Sequence, residues 1–357
     1  MILIGKRQIS PSPQVAQSMK SVCLVIQSED GHRGDYTQLF LEALPLICGD
    51  VSQNSGRHCL SLKSDCIFIQ MIEGSYSVFL RSSILGLFGR HRTIGLLFRP
   101  REAIERRTFR HFLKYLFFRI FSRLPNVRVL TILPFEIEPQ FAEIATGWIY
   151  DPQLWDLTFP GFETICDGSI SNKIKAAASG RRVIMALGGQ NREKGFDYLT
   201  NIWCNNTEIR STHLFVVAGV VAAESKDKAA AFQAAGGILF DRRLEFSELM
   251  GLYSCADAVW SCYAPDYDQA SGIFGRAFQL GIPAIVRSGS HIARLANSLN
   301  HETIELPFDN PQESATALMH SKPVRLSKEI KLKADVWEIR RRSLDNLRDA
   351  IDNGGKI

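Results

Sequence analysis

The residues best suited to chemistry lie in two loops. In the run Leu187-Gly188-Gly189-Gln190-Asn191-Arg192-Glu193-Lys194-Gly195-Phe196, two glycines follow an apolar segment, and helical periodicity resumes just past Lys194-Gly195. Glycine lets backbone approach an anion closely, and a helix start offers free N–H groups. Arg192 and Lys194 set mobile positive charge beside them. The spacing is neither that of the P-loop nor that of the G-x-G-x-x-G fingerprint, so those two chemistries are excluded. A solvated turn carrying two surface cations accounts for the same residues equally well.

The second loop runs from Tyr263 to Phe278 and leads from an apolar strand into a helix that Gly281 stops. Ser271 and Gly272 at the helix start, with Ile273 after them, suit an anion such as phosphate, and Ser271 also suits an N-cap. Asp268, just before them, is placed to meet a sugar hydroxyl, and Arg276 lies about one turn inside the helix. The plainer alternative is an N-cap with Arg276 facing solvent. The two loops follow different strands of one sheet, so both are expected at a single crevice, and the pair carries more weight than either loop.

In the N-terminal half, Gly31, His32 and Asp35 follow the first apolar run, and Arg99 follows the strand Thr93–Phe98. Strand ends are where ligands bind in open α/β sheets. His32 stands in that first loop, where a lone loop histidine is the plainer reading; Arg99 suits an anion, or is structural ahead of Pro100. Residues 90–123 hold ten Arg or Lys against only Glu102 and Glu105. Within residues 102–124, aromatic and aliphatic residues recur at helical spacing, with cations grouped elsewhere. Such a basic amphipathic helix suits an anionic membrane surface, or packs its stripe on a sheet with the cations solvated. Its aromatics follow helix spacing and form no stacking platform, so nucleic acid is not expected.

The elements that must position these loops alternate. Strand and helix signals succeed one another across residues 182–287 with short loops, the grammar of a doubly wound α/β domain. The first half repeats it with longer helices. An N-terminal Rossmann-like domain is expected over 1–165, a second over 166–325, and a charged helix over 326–357 packing back toward the N-terminal domain.

The chain has 357 residues, 45% apolar and 22% charged, enough for two cores and unlike a disordered chain. Forty-two basic against thirty-seven acidic residues leave a net charge of +5, too mild to argue for nucleic acid. The longest apolar run, Leu214 to Ala223, is about half of a membrane-spanning helix. Eight cysteines are scattered with no C-x-x-C pair, which argues for buried thiols, no metal site and a reducing, cytoplasmic compartment.

Across residues 182–297 the order is strand, Gly-Gly…Lys194-Gly195, Phe240-Asp241-Arg242, then Leu249-x-x-Leu252-Tyr253-x-x-Ala256-Asp257, and Gly272…Ala277-x-x-x-Gly281-x-Pro283. This resembles the donor-binding domain of GT-B glycosyltransferases and is most similar to the GT4 group. The resemblance implies two Rossmann-like domains facing a cleft. It implies that Lys194 binds the donor diphosphate, with Gly188, Gly189, Arg192, Asp241, Arg242, Ser271, Gly272, Ile273 and Arg276 around the donor. Catalytic roles fall to Asp268, Lys194 and His32, and Gly31, His32, Asp35 and Arg99 face the acceptor. Two positions depart from the pattern. Gly189 stands where the group carries arginine, and Arg276 stands where it carries the second glutamate of E-x7-E, the ribose contact.

The resemblance thus implies transfer of a sugar from a nucleotide-diphosphate sugar to a glycan or lipid-linked acceptor. It implies retention of configuration, with inversion through Asp35 or His32 as base left open. Fixed cations and helix dipoles need no metal or other cofactor. The lack of a secretory signal and of a spanning segment points to the cytoplasm or the inner face of a membrane. The rivals are a sugar-nucleotide epimerase or phosphorylase of the same fold, and a non-catalytic subunit, which Arg276 and Gly189 would suit.

Overall fold

The computed structural model describes residues 20–26, 32–54, 63–89, 91–159, 167–321 and 332–352, and only the backbone of His32, Arg33 and Asp35. Short β-branched and aliphatic runs form two parallel sheets of six strands each. The first contains β1 (Val22–Val25), β2 (Val51–Asn54), β3 (Cys66–Ile69), β4 (Arg92–Leu97), β5 (Val127–Thr131) and β6 (Gly147–Trp148), in the order β2-β1-β3-β4-β5-β6. The second contains β7 (Arg182–Leu187), β8 (His213–Ala218), β9 (Ile238–Phe240), β10 (Ala258–Ser261), β11 (Ala284–Arg287) and β12 (Thr303–Leu306), in the order β12-β11-β10-β7-β8-β9. All four residues of β3 are buried, as are all six of β8, because helices cover both faces of each sheet.

These orders fix where loops diverge. Strand order reverses between β1 and β3 in the first sheet and between β7 and β10 in the second, and the crevice beyond such a reversal is where α/β folds bind ligands. The loops after β7 and β10 are the two singled out from the sequence.

The basic segment is not one helix. It forms Pro100–Glu105 and Phe109–Phe121, broken at Arg106, whose φ of 50° ends the first, while the Thr108 hydroxyl accepts the His111 N–H to start the second. The last helix spans Asp335–Asp352 and lies on the first sheet. Asn346 donates to the Trp148 carbonyl at 2.9 Å, the Ser343 hydroxyl accepts from the Tyr150 N–H, and Lys20 and Arg92 donate to the Ile351 carbonyl. Residues 152–159 cross beneath the helix Gly272–Gln279, and one continuous apolar core joins the inner faces of both sheets.

Candidate active site

The loop after β7 is shaped by its own backbone. The Asn191 side chain accepts the Lys194 N–H at 2.9 Å, and the Gly195 N–H closes on the Arg192 carbonyl. Gly195 has φ 74°, and a Cβ there would stand 2.1 Å from the Cys262 carbonyl oxygen, so only glycine lets this loop lie against the chain leaving β10. The Ala264 N–H donates to the Glu193 carbonyl at 2.9 Å, tying the two loops together. Lys194 is thereby held over Gly188. Burial lowers its pKa, and no carboxylate lies within ion-pair distance among the described residues.

In the loop after β10, the Ser271 hydroxyl accepts the Phe274 N–H at 3.2 Å and lies 2.7 Å from the Tyr263 hydroxyl. The first bond of the helix Gly272–Gln279 runs from Gly275 N–H to Ser271 carbonyl, so the N–H groups of Gly272 and Ile273 precede it and suit an anion. The Gln153 carboxamide lies over this helix start: a Cβ on Gly272 would fall 1.3 Å from its Oε1. Gln153 is fixed through its backbone, its N–H donating to Asp151 Oδ1 and its carbonyl accepting from Gln279 Nε2, each at 2.9 Å.

Two large cavities meet at Gln153, Gly272 and Ile273. One, of about 510 Å³, is the cleft between the domains, with Lys194, Ser271 and Gly272 on one side and Tyr36, Glu73 and Arg99 on the other. The other, of about 500 Å³, lies within the second domain among Gly188, Gly189, Gly219, Phe246, Leu249 and Arg276. Glycine backbone and apolar side chains line much of this slot, with Arg243, Glu245 and Arg276 among them, and the helix start with its free N–H groups stands between slot and cleft.

Glu73, in the turn straight after β3, was not singled out from the sequence. One oxygen accepts the Arg99 N–H, while Oε2 is out of solvent with no hydrogen-bond partner among the described residues. Burial raises its pKa against the pull of the Arg99, Glu73 and Phe98 backbone N–H groups and of the Arg99 charge. Tyr36 was missed too. Its hydroxyl donates to Asp151 at 3.2 Å, and burial, then the Asp151 charge, holds the phenol well above its ordinary pKa.

The sequence-derived residues divide. Lys194, Ser271, Gly272, Ile273 and Arg99 border the cleft, and Gly188, Gly189, Ile273 and Arg276 border the second cavity. Arg192 is exposed. Asp268 is held by three partners and not left free in its loop. Oδ1 accepts the His291 N–H at 2.9 Å, and Oδ2 pairs with Arg287 at 3.2 Å and Arg101 at 3.4 Å. It borders a smaller cavity of about 150 Å³ beside the cleft. Asp241 pairs with Lys226 and accepts the Val221 N–H, and Arg242 pairs with Glu248, so both serve local structure, while Arg243 borders the second cavity. Arg276 is no free ribose contact. It is 3% exposed and bonded to Asp156 at 2.9 and 3.1 Å, with Gln279 donating to the same carboxylate. Gly31 lies outside the described residues, as do the side chains of His32 and Asp35, whose backbone opens the helix His32–Ala43. Among the described residues no three His, Cys, Asp or Glu are grouped to hold a metal.

No protein-family model matches the sequence, and no curated protein matches it. Solved structures do. The chain is similar to WaaG, a glycosyltransferase involved in lipopolysaccharide biosynthesis, at 14% identity over 93% of this chain and 100% of that one, with a TM-score of 0.54. It is similar to Anabaena HepE, crystallised with UDP and glucose, at 13% identity over 94% and 96%, with a TM-score of 0.54. A Burkholderia multivorans trehalose 6-phosphate synthase follows at 9% identity over 93% and 95%, with a TM-score of 0.53. At such identities the likeness is one of fold.

Proposed function

From the GT-B fold as premise, we propose that this chain is a glycosyltransferase that moves a sugar from a nucleoside-diphosphate sugar to a hydroxyl of a glycan or lipid-linked acceptor. One observation carries this reading. Lys194, a half-buried cation with no carboxylate partner among the described residues, stands beside a helix start at the strand reversal of the second sheet. The base would lie in the slot beside Phe246 and Leu249, with the diphosphate at Gly272 and Lys194 and the sugar in the cleft. HepE holds UDP and glucose and WaaG serves lipopolysaccharide biosynthesis, which supports a nucleotide-sugar donor and a surface-glycan acceptor. The cytoplasmic face of a membrane is the matching location.

As the bond from the anomeric carbon to the diphosphate breaks, its electron pair goes to the leaving phosphate. The Lys194 ammonium and the helix N–H groups stabilise that charge, the part a metal ion plays elsewhere. Retention, the course that the GT4 likeness implies, lets the leaving phosphate take the acceptor's proton. Glu73 favours a second course: a carboxylate with a bare oxygen on the opposite wall suits a general base and inversion.

The first test is thermal stabilisation by UDP, GDP, ADP and CMP. A ligand at about 100 times its dissociation constant adds a few kcal/mol. One nucleoside diphosphate is expected to raise the melting temperature, and Lys194→Ala to abolish the shift and lower turnover at least about tenfold. No shift with any of them would favour a non-catalytic subunit; turnover of the nucleotide sugar without an acceptor would favour an epimerase.

A further inference from the structure

Beside the cleft, the helices Tyr76–Gly89 and Phe109–Phe121 lie side by side, joined through Tyr76 and Phe79 against Phe117 and Phe121 with ring centroids 5.9–6.0 Å apart. Tyr115 and Phe118 point inward and are buried. The outward faces are apolar as well: Phe88 is 83% exposed and Phe109 75%, with Leu80, Ile84, Leu85 and Leu87 beside the first and Phe112, Leu113, Leu116 and Ile120 beside the second. Ten of the thirteen large apolar side chains that are exposed among the described residues sit on these two helices, so the exposed apolar surface is concentrated on this part of the molecule. Neither helix contains an acidic residue, and Arg81, Arg110 and Arg123 around the patch are exposed with no ion pair among the described residues.

We infer that this two-helix face seats the protein on an anionic lipid surface. Apolar side chains ringed by unpaired arginines match the boundary between acyl chains and anionic headgroups. A second copy of the chain would bring an equally positive rim against this one, which charge repulsion opposes. No helix among the described residues is long and apolar enough to cross a membrane, so the contact lies in the plane of the surface. Tyr76, Glu102 and Lys114 line both the cleft and this edge of the molecule, which brings the cleft mouth next to whatever that surface carries. The seat deepens the proposed function by naming where the acceptor is held, and it stands on its own evidence if sugar transfer fails.

The test is co-sedimentation of the full-length protein with phosphatidylcholine vesicles, with and without phosphatidylglycerol. Binding is expected only to the anionic vesicles. Phe88→Ser with Phe109→Ser and Leu113→Ser is expected to weaken it at least about tenfold without lowering the melting temperature, whereas Leu46→Ser, exposed elsewhere, leaves it unchanged. Arg81→Glu with Arg110→Glu is expected to weaken it by more than about tenfold and to flatten its salt dependence. Wild-type protein remaining in the supernatant, or the triple-serine variant pelleting as well as wild type, overturns the inference. So does a wild-type dimer that the triple-serine variant fails to form, which would make the patch a self-interface. Stabilisation by a nucleoside diphosphate, measured on the same variants, reads the donor site separately.

Discussion

Burial opposes the charge on Lys194, and a bound diphosphate would restore it. Affinity for the nucleoside diphosphate should therefore fall as pH rises through the lowered lysine pKa, because only the ammonium attracts the anion; calorimetric titration across neutral to alkaline pH checks this. Glu73 works in the opposite sense. If it accepts the acceptor's proton, the rate falls as pH drops through its raised pKa, and Glu73→Gln lowers turnover by about a hundredfold while leaving nucleotide binding intact. A pH–rate profile of Glu73→Gln that keeps the acid limb would remove that role. Arg276 belongs to the interior. Arg276→Ala should destabilise the fold by about 3–5 kcal/mol in urea unfolding, since it leaves Asp156 buried and unpaired, and Arg276→Met with Asp156→Leu should recover most of that loss. Lys194, Ser271 and Gly272 were legible because a helix start after a glycine loop is a local signal. Glu73 was not, since its meaning depends on the Arg99 N–H brought from another strand. The pairing of Arg276 was not legible for the same reason: its partner, Asp156, lies 120 residues away.

The helix Gly272–Gln279 presses its backbone onto the turn Pro152–Leu154. A Cβ on Gly275 would come 2.4 Å from the Gln153 carbonyl oxygen, a rigid backbone atom, so Gly275→Ala should cost about 1–3 kcal/mol, read by thermal or urea unfolding. On Gly272 the obstacle is the far end of the Gln153 side chain, which can swing aside, so Gly272→Ala should cost less. Most strands and helices of the second half were legible from alternating apolar runs and helix stops. The helix Tyr76–Gly89 was not, for a physical reason: periodicity appears only when one face is polar, and this helix is apolar on its exposed face too. The basic segment showed its periodicity, but nothing local announced the break at Arg106.

Across the whole molecule, acid sensitivity has identifiable sources. Burial, aided by Arg182, lowers the His213 pKa to about 4, and burial, aided by Lys333, lowers that of His301 to about 3. Unfolded, both take up protons below about 6.5, while the folded protein does not. The stability that these neutral histidines contribute is present above pH 6.5 and is lost as pH falls toward 4, at about 1.4 kcal/mol per pH unit for each. Melting temperature should drop over that window, and replacing either histidine with glutamine should flatten the drop. The two-domain architecture was legible in the sequence because parallel sheets write themselves as repeated apolar runs. The joint between the domains was not, since it is built from the Arg276–Asp156 pair and the close approach at Gly275.

The seating of the helix Asp335–Asp352 on the first sheet bears on how the molecule divides into fragments. The first lobe is discontinuous in the chain: its sheet ends with β6, yet its covering helix is made only after the whole second lobe. A fragment cut near residue 160 would leave β4 and β6 without the side chains that shield them, whereas the second lobe has all its strands in one stretch. During synthesis the second lobe is therefore complete before the first can close, and splitting this protein into halves for expression would require grafting residues 335–352 onto the first half.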